Sequence, residues 1–186
     1  ALAVIACRAS GTAGTTGNNS QGIVADAYTD ARVISGTVTT SGTNSTGITA
    51  GAYYGYIDLH STSVTTSGAN SGGILAITGG PTNGGADIYI DSGTVATSGA
   101  SSSGILALAG LGSNSAGGNV EIHSDGVTTV GNNSLGIGAL AYDNVTIDSG
   151  TVSTQGVNSL GIYAGSYYGD INVGSVDVTT TGAGAA

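Results

Sequence analysis

A nine-residue cassette, Gly-x-Asn-Ser-x-Gly-Ile-x-Ala, recurs along nearly the whole chain. It reads GNNSQGIVA from Gly17, GTNSTGITA from Gly42, GANSGGILA from Gly68, GASSSGILA from Gly99, GNNSLGIGA from Gly131 and GVNSLGIYA from Gly156. A Val stands four residues before each copy from the second onward, at Val38, Val64, Val95, Val127 and Val152. Ala13 takes that place in the first copy, and Val178 opens a seventh, unfinished one. A repeat of this length implies stacked supersecondary units, none of which can bury its apolar side chains alone.

With each Val as origin, further columns fall into line. Ile lies ten residues on (Ile23, from Ala13, then Ile48, Ile74, Ile105, Ile137, Ile162) and Ala two beyond it (Ala25, Ala50, Ala76, Ala107, Ala139, Ala164). Seven and five residues before the Val come Ala31 and Val33, Ile57 and Leu59, Ile88 and Ile90, Val120 and Ile122, Val145 and Ile147, Ile171 and Val173. A period of two marks strands with one buried face, and Gly, Asn and Ser between them mark turns. Each repeat therefore predicts three short strands, and no helical pattern occurs.

The Val-to-Val spacings are 26, 31, 32, 25 and 26 residues, and the variation sits between the Ala column and the next strand. Length changes confined to one corner suit a wound chain whose corner faces solvent. The expectation is an all-β, right-handed parallel β-helix of three short strands per turn, since parallel crossovers are right-handed. Six to seven turns at ~4.8 Å per strand step make a rod on the order of 30 Å long. Residues 1–186 read as a single β-helix domain and as part of a longer array. A barrel or sandwich is the rival, but neither needs identical residues at identical offsets.

Composition narrows the partners. The chain has 186 residues, 35 of them Gly, and no Phe, Trp or Met, so Val, Ile, Leu, Ala and Thr must fill a narrow core. Net charge is −9, with two Lys+Arg in all (Arg8 and Arg32), which argues against a nucleic-acid surface or an anionic membrane. Cys7 stands alone and reads as inert, and the apolar ALAVIA at the start is too short to span a bilayer.

Several polar columns need weighing. The cassette glycines Gly42, Gly68, Gly99, Gly131 and Gly156 are expected at positive φ. Asn19, Asn44, Asn70, Asn133 and Asn158, with Ser101 as the exception, favour an internal amide ladder; the competing reading makes them turn formers in the left-handed region. Ile34, His60, Asp91, His123, Asp148 and Gly174 form an outward column that pairs weakly or, less in keeping with known motifs, holds a metal. Tyr28, Tyr53, Tyr54, Tyr142, Tyr167 and Tyr168 gather at the variable corner and read as an aromatic cover for the core, or else as a carbohydrate- or protein-contact strip. GGAD at 84–87 is a single weak echo of calcium-binding repeats.

The segments SGTVTTSG, NSTGITA and GDINV resemble the repetitive passenger regions of Gram-negative autotransporters and related secreted β-strand-repeat adhesins, from about Gly11 onward. The resemblance implies a right-handed β-helix displayed outside the cell or on the bacterial surface, in adhesion, aggregation or surface fibres. The leading expectation is an extracellular structural or adhesive protein without catalysis, cofactor or metal, which self-associates end to end or touches other surface molecules, carbohydrate or protein. Two other classes compete. A polysaccharide-active enzyme needs clustered carboxylates and a base, yet Lys is absent and the Asp residues are scattered. An ice-binding solenoid would use Thr37, Thr39, Ser63, Thr65, Thr94, Thr151 and Ser153, a strip interrupted by Ala96, Gly126 and Asp177.

Overall fold

The computed structural model describes residues 5–8, 13–79, 86–110 and 117–186. The GGAD glycines Gly84 and Gly85 lie outside them, and the side chains of Cys7 and Arg8 are likewise not described. Among the described residues every regular element is a strand, and no helix is long and apolar enough to cross a membrane.

The strands are β1 (Ile5–Arg8), β2 (Ala13–Thr16), β3 (Ile23–Ala27), β4 (Ala31–Ser41), β5 (Ile48–Ala52), β6 (Ile57–Ser67), β7 (Ile74–Thr78), β8 (Ile88–Thr97), β9 (Ile105–Ala109), β10 (Val120–Val130), β11 (Leu135–Ala141), β12 (Val145–Gln155), β13 (Leu160–Ser166) and β14 (Ile171–Thr181). Long and short strands alternate and segregate. The long ones form an eight-stranded sheet, order β1-β4-β6-β8-β10-β12-β14, with β2 also on β4; the short ones form a six-stranded sheet, order β13-β11-β9-β7-β5-β3. Every pairing is parallel. Two parallel sheets threaded alternately fit a parallel β-solenoid.

Each repeat holds two strands where three are expected. The ARVI-type and TVTT-type segments run on as one strand, so β4 spans both. The third face survives as a change of phase: Ala31, Val33 and Ser35 point inward, then Val38 and Thr40, three residues after Ser35. The pairing skips the residue at the bend, passing from Ser35↔Ser61 to Thr37↔Ser63 and leaving out Gly36 and Thr62. One residue turns the chain here, with no loop to end the strand.

The columns superimpose in register. Ile23, Ile48, Ile74, Ile105, Ile137 and Ile162 are successive partners, and the middle four are at most 1% exposed. The buried cluster is built only of Ile, Val, Leu and Ala. Burying each large aliphatic side chain contributes roughly 1.5–3 kcal/mol.

The turn chemistry departs from expectation. Asn19, Asn44, Asn70, Ser101, Asn133 and Asn158 all have φ between 54° and 59° and face solvent. They are left-handed turn residues; their amides do not form an internal ladder, and one exposed bond of 3.2 Å, Asn44 Nδ2 to Asn19 Oδ1, is the column's whole amide pairing among the described contacts. The ladder belongs to the next residue. The backbone N–H groups of Ser20, Ser45, Ser71, Ser102 and Ser134 donate to the hydroxyls of Ser45, Ser71, Ser102, Ser134 and Ser159 at 2.9–3.3 Å. Those five acceptor serines are at most 3% exposed. A left-handed residue reverses the chain's heading, so the side chain that follows it points inward. Of the cassette glycines, Gly17, Gly42 and Gly156 take positive φ; Gly68, Gly99 and Gly131 do not. Those three are glycine for room, since a Cβ would run into the carbonyl of the cassette glycine one repeat earlier.

Candidate functional site

The first half of each long strand carries the ionisable chemistry. Immediately before the strand stands a corner column, Asp30, Tyr56, Asp87, Asn119, Asn144 and Asp170. Its side chains hold the next turn in place. Asp87 Oδ1 accepts from the backbone N and the Nδ2 of Asn119 at 2.8 and 2.9 Å. Asn119 Oδ1 accepts the same two bonds from Asn144 at 3.1 and 3.0 Å, and Asn144 Oδ1 accepts from Asp170 N at 2.8 Å. The amide ladder that the cassette asparagines suggest is therefore built at a different corner. Its sequence signal is a residue with a polar atom at the same offset in every repeat.

Beside it run two outward columns in register: Arg32, Asp58, Tyr89, Glu121, Thr146 and Asn172, then Ile34, His60, Asp91, His123, Asp148 and Gly174. Arg32 Nε lies 3.1 Å from Asp58 Oδ2. His60 bridges Asp58 (Nε2, 2.8 Å) and Asp91 (Nδ1, 3.3 Å), while His123 Nε2 lies 2.7 Å from Glu121 and its Nδ1 3.9 Å from Asp148. The expected His–Asp pairing across neighbouring turns is present, and it extends to the adjacent column. These groups are largely solvated, so each pair contributes about 0–1 kcal/mol. Among the described residues no three His, Cys, Asp or Glu side chains are placed to hold a metal ion.

Tyr89 lies between the two imidazoles, 5.5 Å from His60 and 5.8 Å from His123 between ring centroids. Desolvation, and then the carboxylates of Asp91, Glu121 and Asp58, raise its pKa above the ordinary 10.0. The phenol stays protonated and keeps a hydrogen to donate. A cleft of about 590 Å³ opens over the corner column and the first of the two outward columns, lined by Tyr56, Asp58, Asp87, Tyr89, Glu121 and Asn144 among others. Phenol, amide and carboxylate groups along an open trough suit a ligand rich in hydroxyls.

The corner tyrosines do not cover the core. They stack in two separate groups: Tyr28, Tyr53 and Tyr54 at 4.5–5.7 Å between centroids, and Tyr142 with Tyr168 at 4.9 Å. Tyr28, Tyr53, Tyr54, Tyr167 and Tyr168 are 41–77% exposed. The aliphatic columns already close the interior, so the rings remain outside. The second half of each long strand presents two hydroxyl-rich columns around Val: Thr37, Ser63, Thr94, Gly126, Thr151, Asp177, and Thr39, Thr65, Ala96, Thr128, Ser153, Thr179. Thr128 belongs to the strip as well, bringing the second column to one interruption.

Comparison of the chain with protein-family models, with curated proteins and with solved structures finds no match in any of the three.

Proposed function

We propose that this chain is a non-catalytic structural or adhesive β-solenoid of the extracellular space or bacterial surface, of the autotransporter-passenger kind. In this reading residues 1–186 form one domain within a longer array, wound right-handed through six to seven turns. The observation that carries it is the in-register repetition of surface chemistry. Any side chain at a given offset is displayed as a row, which is how a rod offers many weak contacts along its length. The trough of Tyr56, Asp58, Asp87, Tyr89 and Glu121 is the surface we assign to carbohydrate, with aromatic faces for sugar rings and carboxylates for their hydroxyls.

Self-association end to end belongs to the same reading, since every turn pairs with the next in parallel register and offers it a strand of like pattern.

The test is adsorption of the purified chain to immobilised neutral and acidic glycans, with Tyr89→Ala as comparison. Saturable binding weakened by the substitution is expected; equal retention by both, or turnover of a polysaccharide, would overturn the reading. Ice binding stands as the second reading, favoured by the two in-register hydroxyl columns. Thermal hysteresis lost on Thr65→Leu would establish it, and none in the unaltered chain would dismiss it.

A further inference from the structure

The two sheets differ in what they show to solvent. In the short strands the residues between the Ile and Ala columns, and just after Ala, point outward. Leu75 pairs with Leu106 and Ile77 with Leu108; Leu108 pairs with Leu140, and Leu106 with Gly138, which pairs with Tyr163. A Cβ on Gly138 would meet Leu135 Cδ2 at 2.5 Å and Leu106 Cδ1 at 3.0 Å, so leucines lean over the gap and the apolar surface runs on unbroken. Ile77 is 42% and Tyr163 48% exposed.

Charge is nearly missing from this face. Of the 11 Asp+Glu residues, Asp26 is the one within the six short strands. The apolar run spans four strands, β7 to β13, and two outward columns about 7 Å apart at ~4.8 Å per strand give a footprint on the order of 300 Å². That matches the largest apolar patch of a typical monomer, which is often a functional one.

We infer that this face docks a second copy of the same chain, apolar sheet against apolar sheet about a twofold axis. The charge distribution selects that occupant. The net charge is −9, and it sits on the long-strand sheet and the corners. Back-to-back pairing joins the neutral faces and holds the acidic ones apart, while an anionic lipid surface is repelled and a cationic partner finds no carboxylate row to grip. The footprint sets the strength. About 300 Å² per partner is less than half of what a stable interface of ~800 Å² per partner buries, so the contact is weak and reversible for one such segment. It is separate from the trough, and it adds side-by-side association to any end-to-end contact.

Sedimentation velocity of the unmodified chain from micromolar to millimolar concentration tests this, at low salt and in molar NaCl. Association is expected to rise with concentration and to strengthen with salt, because salt screens the net charge and favours apolar burial. Replacing outward residues as Ile77→Thr and Leu106→Thr puts β-branched, strand-favouring side chains at both positions and is expected to weaken dimerisation at least about tenfold, with the circular dichroism spectrum unchanged. A chain that stays monomeric throughout, association that weakens with salt, or association that survives both substitutions in folded protein would each overturn the inference. So would flotation with phosphatidylcholine vesicles, lost on Ile77→Thr, by a chain that does not dimerise; the occupant would then be lipid.

Discussion

Gly47→Ala probes a place where the short strand passes close beneath the long-strand sheet. The second cassette glycine sits where the chain leaves its Asn-Ser turn and enters the short strand. A Cβ at Gly47 would lie 2.5 Å from Val64 Cγ1, 2.7 Å from the carbonyl oxygen of Gly73 and 3.3 Å from Thr66 Cγ2. Carbon atoms rest at about 3.5–4.0 Å, so the first overlap is about an ångström. Val64 cannot yield: it is 0% exposed and paired with Val38 and Val95 in the adjoining strands. The Gly73 carbonyl cannot yield either, because it accepts from Ile48 N at 2.9 Å. The sheets must therefore part locally, and overpacking of this kind costs about 1–3 kcal/mol. Urea unfolding followed by circular dichroism measures it, with Gly14→Ala as control, since a Cβ there meets nothing within 4 Å. The double substitution Gly47→Ala with Val64→Ala removes one of the two obstacles. It should be more stable than the sum of the single losses by about 0.5–3 kcal/mol, the range for residues in contact. A neutral Gly47→Ala, or strictly additive losses, would refute the claim that close approach of Val64 is what requires glycine.

Other outcomes follow from the turn and the strip. Ser71→Ala strips the Ser45 N–H of its buried acceptor and should cost about 1–3 kcal/mol. Asn70→Ala keeps φ near 55° in a residue that disfavours it and should cost about 1 kcal/mol, while Asn70→Gly is near neutral; equal losses from both Asn70 changes would return the amide to a bonding role. Ser101→Asn brings the one exceptional turn into line and should raise the urea midpoint by the equivalent of about 0.5 kcal/mol; a fall would count against the left-handed turn as the reason for Asn. Tyr89→Phe should remove a late-ionising part of the ultraviolet phenolate titration, one that lies above the ordinary 10.0. The unfolded chain's phenol ionises near 10.0 and the native one later, so between those values the native state holds a proton the unfolded state has lost, and stability falls as pH rises. Loss of amplitude only at or below the ordinary 10.0 would contradict the environment drawn for Tyr89.

How far the sequence could be read depended on whether a feature is local. The Ile and Val columns were legible because alternation is a property of consecutive residues, and their repetition at like offsets left stacking as the way to bury all of them. The join of ARVI-type and TVTT-type segments into one strand was not legible. Gly36 looks like a break, but backbone pairing resumes one residue later at Thr37 and Ser63. Asn44 and Ser45 are both small and polar, and composition cannot say which turns inward; φ of 56° at Asn44 sends Ser45 into the core. The tyrosine corner was legible as a place where aromatics gather, but not in its exposure: with aliphatic columns filling the interior, Tyr28, Tyr53, Tyr54 and Tyr168 stack while staying 41–77% exposed.

Order within one repeat is therefore set by the amino-acid sequence: which residues bend, which face inward, and that the core is narrow and aliphatic. What lies beside what between repeats belongs to the tertiary structure. His60 meets Asp91 across 31 residues, and Asn119 meets Asp87 across 32, because the strands on either side of the longer connections keep the register of the others. Parallel backbone hydrogen bonds impose that register, and only under it do scattered Tyr, Asp and Glu residues line one trough, and scattered Leu and Ile residues one uncharged face.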